Sequence, residues 1–310
     1  MRPAFMQVGV VMGIVLFVEN MHCKGCAQHV VEAARSVLPD AEVSVDLSAK
    51  QVSIEPAPAN PRQLLGAIVD AGYAARITRQ EMDADFIARR SAARARLDAM
   101  NPHMGSKGDP NDPKGDQWFT KIYELAGEDA ANVPWAALAP NSLLVDWLAR
   151  QDVRKKRVLD VGCGLGDNAE AFAGAGARVS AFDYIDCAVA WAKRRFPDSS
   201  VDYRLADLFA PPKEWIGAFD LVHECYTLQT LREEMLPAAA RALASMVAPG
   251  GRLLVISSAR EREEPQTTPW RPLTRDEIES LAVDGLSLTA FDDIPQQGCL
   301  SRRWRAVLSR

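Results

Sequence analysis

The sequence predicts two folds on one chain: an α+β ferredoxin-like N-terminal domain, then an α/β domain on a mainly parallel seven-stranded sheet. Three observations carry this. Residues 14 to 77 read strand, helix, strand, strand, helix, strand. Residues 157 to 257 alternate strand-like and helical stretches, the pattern of a parallel sheet covered on both faces. Between them, Asn101 to Gln117 holds Pro, Gly, Lys and Asp with almost no apolar residue, as a flexible linker does. The expected domains are residues 1–79 and 118–310, joined by a helical and flexible linker over 80–117.

In the first domain a strand over Ile14–Glu19 leads through a cysteine loop to a helix over Ala27–Leu38. Val30, Val31, Ala34 and Leu38 lie on one face of that helix. Val43, Val45 and Leu47 alternate in a second strand, and Val52 and Ile54 in a third, after a turn at Ser48-Ala49-Lys50. Pro61 opens a second helix carrying Leu64, Leu65, Ile68 and Val69, which ends near Gly72. Tyr73 to Ile77 forms the last strand. The apolar run Val8 to Val18 imitates a signal peptide, but it is too short to span a bilayer. It also lacks a small-residue cleavage site before Glu19, so it reads as a buried strand, with Met12 an alternative start to Met1.

The linker begins with Gln80 to Met100, rich in Ala and Arg with acidic interruptions, and reads as an exposed helix with a solvated basic face. Beyond it, strands are expected over Arg157–Val161, Arg178–Asp183, Val201–Leu205, Phe219–His223 and Arg252–Ser257. Leu286–Phe291 and Trp304–Leu308 are expected as an antiparallel pair.

Composition limits the function. Thirty-six basic against 41 acidic residues make the chain mildly acidic, which argues against a nucleic-acid partner. Six cysteines, with only Cys23 and Cys26 close together, suit a reducing compartment rather than a disulfide scaffold. A cytoplasmic protein without a membrane span is expected.

Two patterns carry chemistry. In Met21-His22-Cys23-Lys24-Gly25-Cys26 two thiols can reach one soft metal ion, and the following helix N-terminus lowers thiol pKa. A structural zinc site usually takes four ligands, so this incomplete shell suits an ion that is accepted and passed on. The second pattern is Val158-Leu159-Asp160-Val161-Gly162-Cys163-Gly164-Leu165-Gly166-Asp167-Asn168, a buried strand entering a glycine turn and a helix. A dinucleotide motif would place its third glycine one position later, where Asp167 would repel a pyrophosphate. Asp160 ends the strand and suggests a zwitterionic or cationic ligand. Asp183, seventeen residues after Gly166, can accept both hydroxyls of a ribose. Asp207 can accept from an adenine amino group, with Leu208 offering its backbone N–H. Three acids at successive strand ends on one side of an open sheet point to a single ligand cleft.

The first pattern, with Val43-Ser44-Val45-Asp46-Leu47, Lys50-Gln51-Val52 and Ala71-Gly72-Tyr73, resembles heavy-metal-associated domains of copper chaperones and metal-pumping ATPases. Asn20 replaces that family's usual Gly and His22 its usual Thr. The resemblance implies Cys23 and Cys26 as ligands of Cu(I), with mercury or zinc as alternatives, and a metal-handling protein as a partner. The second pattern resembles class I S-adenosylmethionine-dependent methyltransferases, whose fold is Rossmann-like. It is most similar to their small-molecule branch, which includes thiopurine and tellurite methyltransferases. Asp220 to Glu224 and Ala248-Pro249-Gly250-Gly251 match further segments, and Trp118, Tyr123, Pro134-Trp135 and Pro140-Asn141 resemble that branch's lid. The resemblance implies S-adenosyl-L-methionine as cofactor and a small-molecule methyl acceptor. It assigns Asp160, Gly162, Gly164 and Gly166 to the methionine end, Asp183 to the ribose, and Asp207 with Leu208 to adenine. His223 and Glu224 are the nearest candidate bases for an acceptor that must lose a proton, and both fit structural roles equally. Trp135 and Trp270 are candidate pocket walls or core aromatics. Cys163, Cys187, Cys225 and Cys299 read as packing residues.

Overall fold

The computed structural model of the chain describes residues 14–18, 20–47, 50–55, 61–73, 75–78, 89–93, 95–96, 116–127, 129–264, 271–295 and 302–310. The expectations for Val8 to Gly13, Met12, Glu19, Trp270 and Cys299 therefore lie outside the described residues, as does most of the linker. The chain divides into two compact units, Met1–Glu81 and Met82–Arg310.

In the first unit, β1 (Ile14–Val18), α1 (Lys24–Val37), β2 (Glu42–Asp46), β3 (Gln51–Glu55), α2 (Pro61–Asp70) and β4 (Ala75–Thr78) follow in that order. The sheet order is β2-β3-β1-β4, with every neighbouring pair antiparallel. Alternate residues of β1 (Ile14, Leu16 and Val18) and of β3 (Val52 and Ile54) turn inward. They pack on Val30 and Ala34 of α1 and on Leu64 and Ile68 of α2. Each fully buried aliphatic side chain there contributes about 1.5–3 kcal/mol. Two details differ from the sequence reading. Helix α1 begins three residues early, at Lys24, so Cys26 lies in its first turn. Val69 is 54% exposed, because the inward stripe of α2 passes through Leu64 and Ile68.

The second unit carries α3 (Asp116–Ala126), α4 (Ser142–Leu148), β5 (Arg157–Val161), α5 (Asp167–Gly174), β6 (Arg178–Asp183), α6 (Asp186–Arg195) and β7 (Asp202–Leu205). It continues with β8 (Phe219–Cys225), α7 (Leu236–Met246), β9 (Val247–Ser258), α8 (Arg275–Glu279), β10 (Ser287–Ile294) and β11 (Arg303–Ser309). The sheet order is β10-β11-β9-β8-β5-β6-β7. Strands β5 to β9 pair in parallel, while β11 runs antiparallel to both β9 and β10. One apolar cluster covers the face under α7 and α8, and another the face under α4 and α5. Strand β5 lies between β6 and β8, so chain order reverses there and a crevice opens at the carboxyl ends of β5 and β8.

In the basic segment after the first unit, Arg89 and Arg96 are exposed, yet the described arginines there make specific bonds. Arg89 pairs with Asp129 at 2.6 Å, and Arg96 donates to Asn132 Oδ1 at 3.0 Å. Arg90 donates to the carbonyl oxygens of Ala130, Val133 and Ala136. These arginines hold the turn that follows α3.

Candidate active site and candidate metal site

Cys23 is the N-cap of α1, and its Sγ accepts from the backbone N–H of Cys26 at 3.2 Å. The two sulfurs are 2.7 Å apart, with Cys23 exposed and Cys26 half-buried. The Cys23 hydrogen bond, followed by the backbone at His22, lowers the Cys26 pKa to about 7. Tyr73 reaches the same place: its hydroxyl bonds to Cys26 and lies 3.4 Å from His29 Nδ1. Asn20 Nδ2 donates to the Gly72 carbonyl at 2.9 Å, which ties the cysteine turn to the loop carrying Tyr73. That is a structural use for the residue replacing the family's glycine. His22 is exposed, and no cluster of three His, Cys, Asp or Glu side chains converges among the described residues. The donor set is thus two adjacent thiols, with the Cys26 pKa lowered, which fits a soft ion carried as cargo.

In the second unit all three glycines of the turn have positive φ: +64° at Gly162, +52° at Gly164 and +92° at Gly166. Two of them make room for protein rather than ligand. A Cβ at Gly162 would lie 2.3 Å from Thr227 Oγ1, and one at Gly166 2.4 Å from Tyr203 Oη. At Gly164 it would meet only Tyr123 Oη, at 3.5 Å. Asp183, at the end of β6, accepts from Gly164 N at 2.9 Å and from Ile185 N at 3.0 Å. Each oxygen keeps a lone pair for a further donor. Burial raises the Asp183 pKa, and these N–H groups oppose the shift.

Asp207 follows β7, and its Oδ1 accepts from Phe209 N at 2.9 Å. Leu208 packs into the core with Trp215 and Phe182. A cleft of about 390 Å³ lies between Thr120 of α3, Tyr184 to Asp186 and Leu205 to Asp207. It brings the ends of β6 and β7 to one hollow. A second hollow, about 400 Å³, lies among Arg157, Arg178, Arg204 and Trp215, where β5 and β6 begin, and is remote from the glycine turn.

Three expected site residues sit deeper than the sequence reading placed them. Asp160 is 2% exposed, and its Oδ1 lies 2.6 Å from Nδ1 of His223, itself fully buried against the edge of Phe172. Glu224 is also fully buried. Its Oε2 accepts from Thr227 N at 3.0 Å and Leu228 N at 3.1 Å, and burial raises its pKa to about 8. In this geometry Asp160 Oδ1 faces His223, while Asp160 Oδ2, His223 Nε2 and Glu224 Oε1 have no hydrogen-bond partner among the described residues. The Glu224 carboxyl braces the loop after β8, where Thr227 Oγ1 donates to the Val161 carbonyl at 3.1 Å. Asp167 is likewise no free repulsive charge, because Arg195 holds it in a two-pronged pair at 2.8 and 3.0 Å.

Trp135 is half-buried; its Nε1 donates to Tyr123 Oη at 3.1 Å, and its ring packs edge-on against Phe119 and Tyr123. Tyr123, Leu165, Ile185 and Trp191 form one cluster, so α3 closes over the glycine turn and α6. The sequence reading passed over Arg195 and Tyr203, whose partners lie 28 and 37 residues away. No local pattern marks them. Cys163, Cys187 and Cys225 have pKa values raised by burial, as packing thiols do.

Fold and site together define a class I methyltransferase-type unit preceded by a small thiol-bearing domain. Residues 158–251 match the model of the methyltransferase domain family, and residues 15–74 match the heavy-metal-associated domain. The chain therefore joins a heavy-metal-associated domain to a methyltransferase domain. The ubiquinone biosynthesis O-methyltransferase of Xanthomonas oryzae pv. oryzae (strain PXO99A) is 37% identical over 130 residues, 41% of this chain and 53% of that protein. Its namesake from Thiobacillus denitrificans is 39% identical over 114 residues, 36% of this chain and 48% of its own. The chain spans about half the length of the curated relatives it matches. Two solved structures share the fold. N-methyltransferase NodS from Bradyrhizobium japonicum WM9, in complex with S-adenosyl-L-homocysteine, superposes with a TM-score of 0.50 at 20% identity, over 64% of this chain and 98% of that one. The 1,6-didemethyltoxoflavin-N1-methyltransferase of Burkholderia thailandensis gives 0.51 at 15% identity, over 66% and 91%. Among the described residues no helix is long and apolar enough to cross a membrane.

Proposed function

We propose that this chain is an S-adenosylmethionine-dependent methyltransferase for a small-molecule acceptor. Its tethered N-terminal domain binds a soft metal ion, Cu(I) foremost and mercury or zinc as alternatives, and delivers it, senses it or localises the enzyme to a metal-handling protein. The observation that carries the reading is Asp183, anchored by two backbone N–H groups with a lone pair left on each oxygen, beside a glycine whose outer side is open. That arrangement suits a vicinal diol. When bound, S-adenosylmethionine supplies an electrophilic methyl group on a sulfonium centre. Asp183 would hold the ribose, Asp207 and Leu208 the adenine, and the turn Gly162 to Gly166 the methionine end.

The chain's own task is then to align an acceptor and exclude water. His223 and Glu224 are buried in the core, where Glu224 positions the loop after β8 and His223 pairs with Asp160. A nucleophile that arrives as an anion, such as a thiolate or a metalloid oxyanion, needs no base from the enzyme. A hydroxyl acceptor, as the name of the O-methyltransferase relatives suggests, would give its proton to another group or to solvent. The tether holds the metal domain at an effective concentration of roughly millimolar near the second unit.

The test is titration of the full chain with S-adenosylhomocysteine, followed by methyl-transfer assays on thiols, phenols, selenite, tellurite and arsenite, with and without Cu(I). Turnover of at least one acceptor is expected. Micromolar cofactor binding with no turnover on any acceptor would replace this reading with a metallochaperone whose second domain binds the cofactor without catalysis.

A further inference from the structure

Three arginines stand close together at the start of β11, and two are paired. Arg302 bonds to Asp293 and Glu261, both at 2.5 Å. Arg305 bonds to Asp292 at 2.7 Å and to the Leu143 carbonyl at 2.9 Å. Arg303 differs: it is only 7% exposed, it makes no ion pair among the described residues, and its Nε has no hydrogen-bond partner. A guanidinium keeps its charge at any ordinary pH. A charge removed from water requires a partner, so an unpaired buried arginine marks a place where an anion belongs.

Its position says which anion. Arg303 pairs across the sheet with Ser258, the last residue of β9. Its side chain and that of Asn141, which precedes α4, both reach the phenol of Tyr226. Tyr226 directly follows β8 with φ of +64°. Asn141 N in turn donates to Asn168 Oδ1, at 2.8 Å, in the first turn of α5 behind the glycine turn. Arg303 therefore stands at the carboxyl ends of β8 and β9, on the face covered by α4 and α5. The residues assigned to the adenosine, Asp183 and Asp207, lie on the other side of β5. Strand β11 is three strands from β5, roughly 14 Å at the usual interstrand spacing. That places Arg303 past the methionine end of the donor, where an acceptor would enter.

We propose that Arg303, with Tyr226 and Asn141, forms a carboxylate-binding subsite for the methyl acceptor. The planar guanidinium fork matches a carboxylate with two parallel N–H···O bonds, and the phenol and amide supply further donors. This inference rests on the methyltransferase reading. The methionine of the cofactor also ends in a carboxylate, and the experiment separates the two sources.

Wild-type full chain, Arg303→Gln and Arg303→Lys are each saturated with S-adenosylhomocysteine and titrated with two probe pairs. These are 3-mercaptopropionate against its amide and 4-hydroxybenzoate against its amide. The expected result is at least tenfold tighter binding of one carboxylate over its amide by the wild type, with the preference lost in Arg303→Gln and partly kept in Arg303→Lys. Affinity for S-adenosylhomocysteine should stay within about twofold. No carboxylate preference in the wild type, which needs no variant to fold, overturns the proposal. So does a preference that survives in Arg303→Gln. A tenfold loss of S-adenosylhomocysteine affinity in Arg303→Gln with acceptor preference unchanged overturns it in favour of the cofactor's own carboxylate. Methyl transfer is assayed on the same probes. A wild-type carboxylate preference that Arg303→Gln loses supports the subsite even without turnover of these probes, and the enzyme reading falls only if no acceptor of the wider panel is methylated.

Discussion

The Asp183 carboxylate accepts a hydrogen bond from the Gly164 backbone N–H at 2.9 Å, nineteen residues apart in sequence. One side chain at the end of β6 thus fixes the middle of the glycine turn and offers oxygen to a diol. A charge-assisted hydrogen bond contributes about 1.5–3 kcal/mol. Losing two of them with Asp183→Ala should weaken S-adenosylhomocysteine binding by on the order of 100-fold or more, as read by calorimetric titration. Cu(I) binding should be unaffected. Cofactor affinity close to wild type would remove the ribose assignment.

The three glycines of the turn should not be equivalent. Each holds a positive φ, which costs a residue with a Cβ roughly 1–2 kcal/mol. At Gly164 this is the main cost, since the added Cβ would meet only Tyr123 Oη, at an ordinary contact distance. At Gly166 the Cβ would also collide with the Tyr203 hydroxyl, which is engaged with Glu170 at 2.7 Å. Urea unfolding should rank Gly166→Ala as clearly less stable than Gly164→Ala. Equal losses would mean that the Tyr203 contact gives way without cost.

Much of this was legible in the sequence, and the rest was hidden for a physical reason. The order of strands, the cysteine turn and the strand-end acids follow from periodicity and spacing, which are local. Asp160, His223 and Glu224 show where local reading stops. Each stands at or near the carboxyl end of a strand, as a ligand-binding residue would. Their side chains nevertheless turn inward, because β5 and β8 are neighbours in register and Asp160 falls opposite His223. The meaning of Asp167 changed in the same way once Arg195 was found beside it. Partners that come together only through tertiary packing leave no mark on spacing.

Glu224 offers a pH-dependent test. Burial raises its pKa to about 8 in the folded chain, against about 4.3 for an unperturbed Glu. The folded state therefore holds a proton that the unfolded state has released between those values. Stability from this group is fully present below pH of about 4, falls as pH rises, and is lost once pH passes the folded value. The slope is about 1.4 kcal/mol per pH unit at most. Glu224→Gln keeps an acceptor for Thr227 N and Leu228 N but cannot ionise. Urea unfolding midpoints between pH 5 and 8 should decline for the wild type and flatten for the variant. Parallel profiles would show that Glu224 does not titrate as its burial implies.

The thiol pair makes the last prediction. Cys26 owes its lowered pKa of about 7 chiefly to Cys23, so thiolate absorbance should rise through neutral pH in the wild type. Cys23→Ser leaves a poorer partner and should move the Cys26 titration toward the usual thiol range. Cys23→Ser combined with Cys26→Ser should abolish stoichiometric Cu(I) binding while S-adenosylhomocysteine affinity is retained, because the two thiols and Asp183 belong to different compact units. Only ten residues lie between Thr78, which ends β4, and Arg89, which is pinned to Asp129. The covalent leash to the Arg89 anchor is thus short, and Arg90 fixes the segment after α3 within the second unit. If that leash transmits metal loading, Cu(I) should change the methylation rate of the wild type, and the double serine variant should not respond. Equal rates with and without Cu(I) in the wild type would reduce the first domain's role to delivery or localisation.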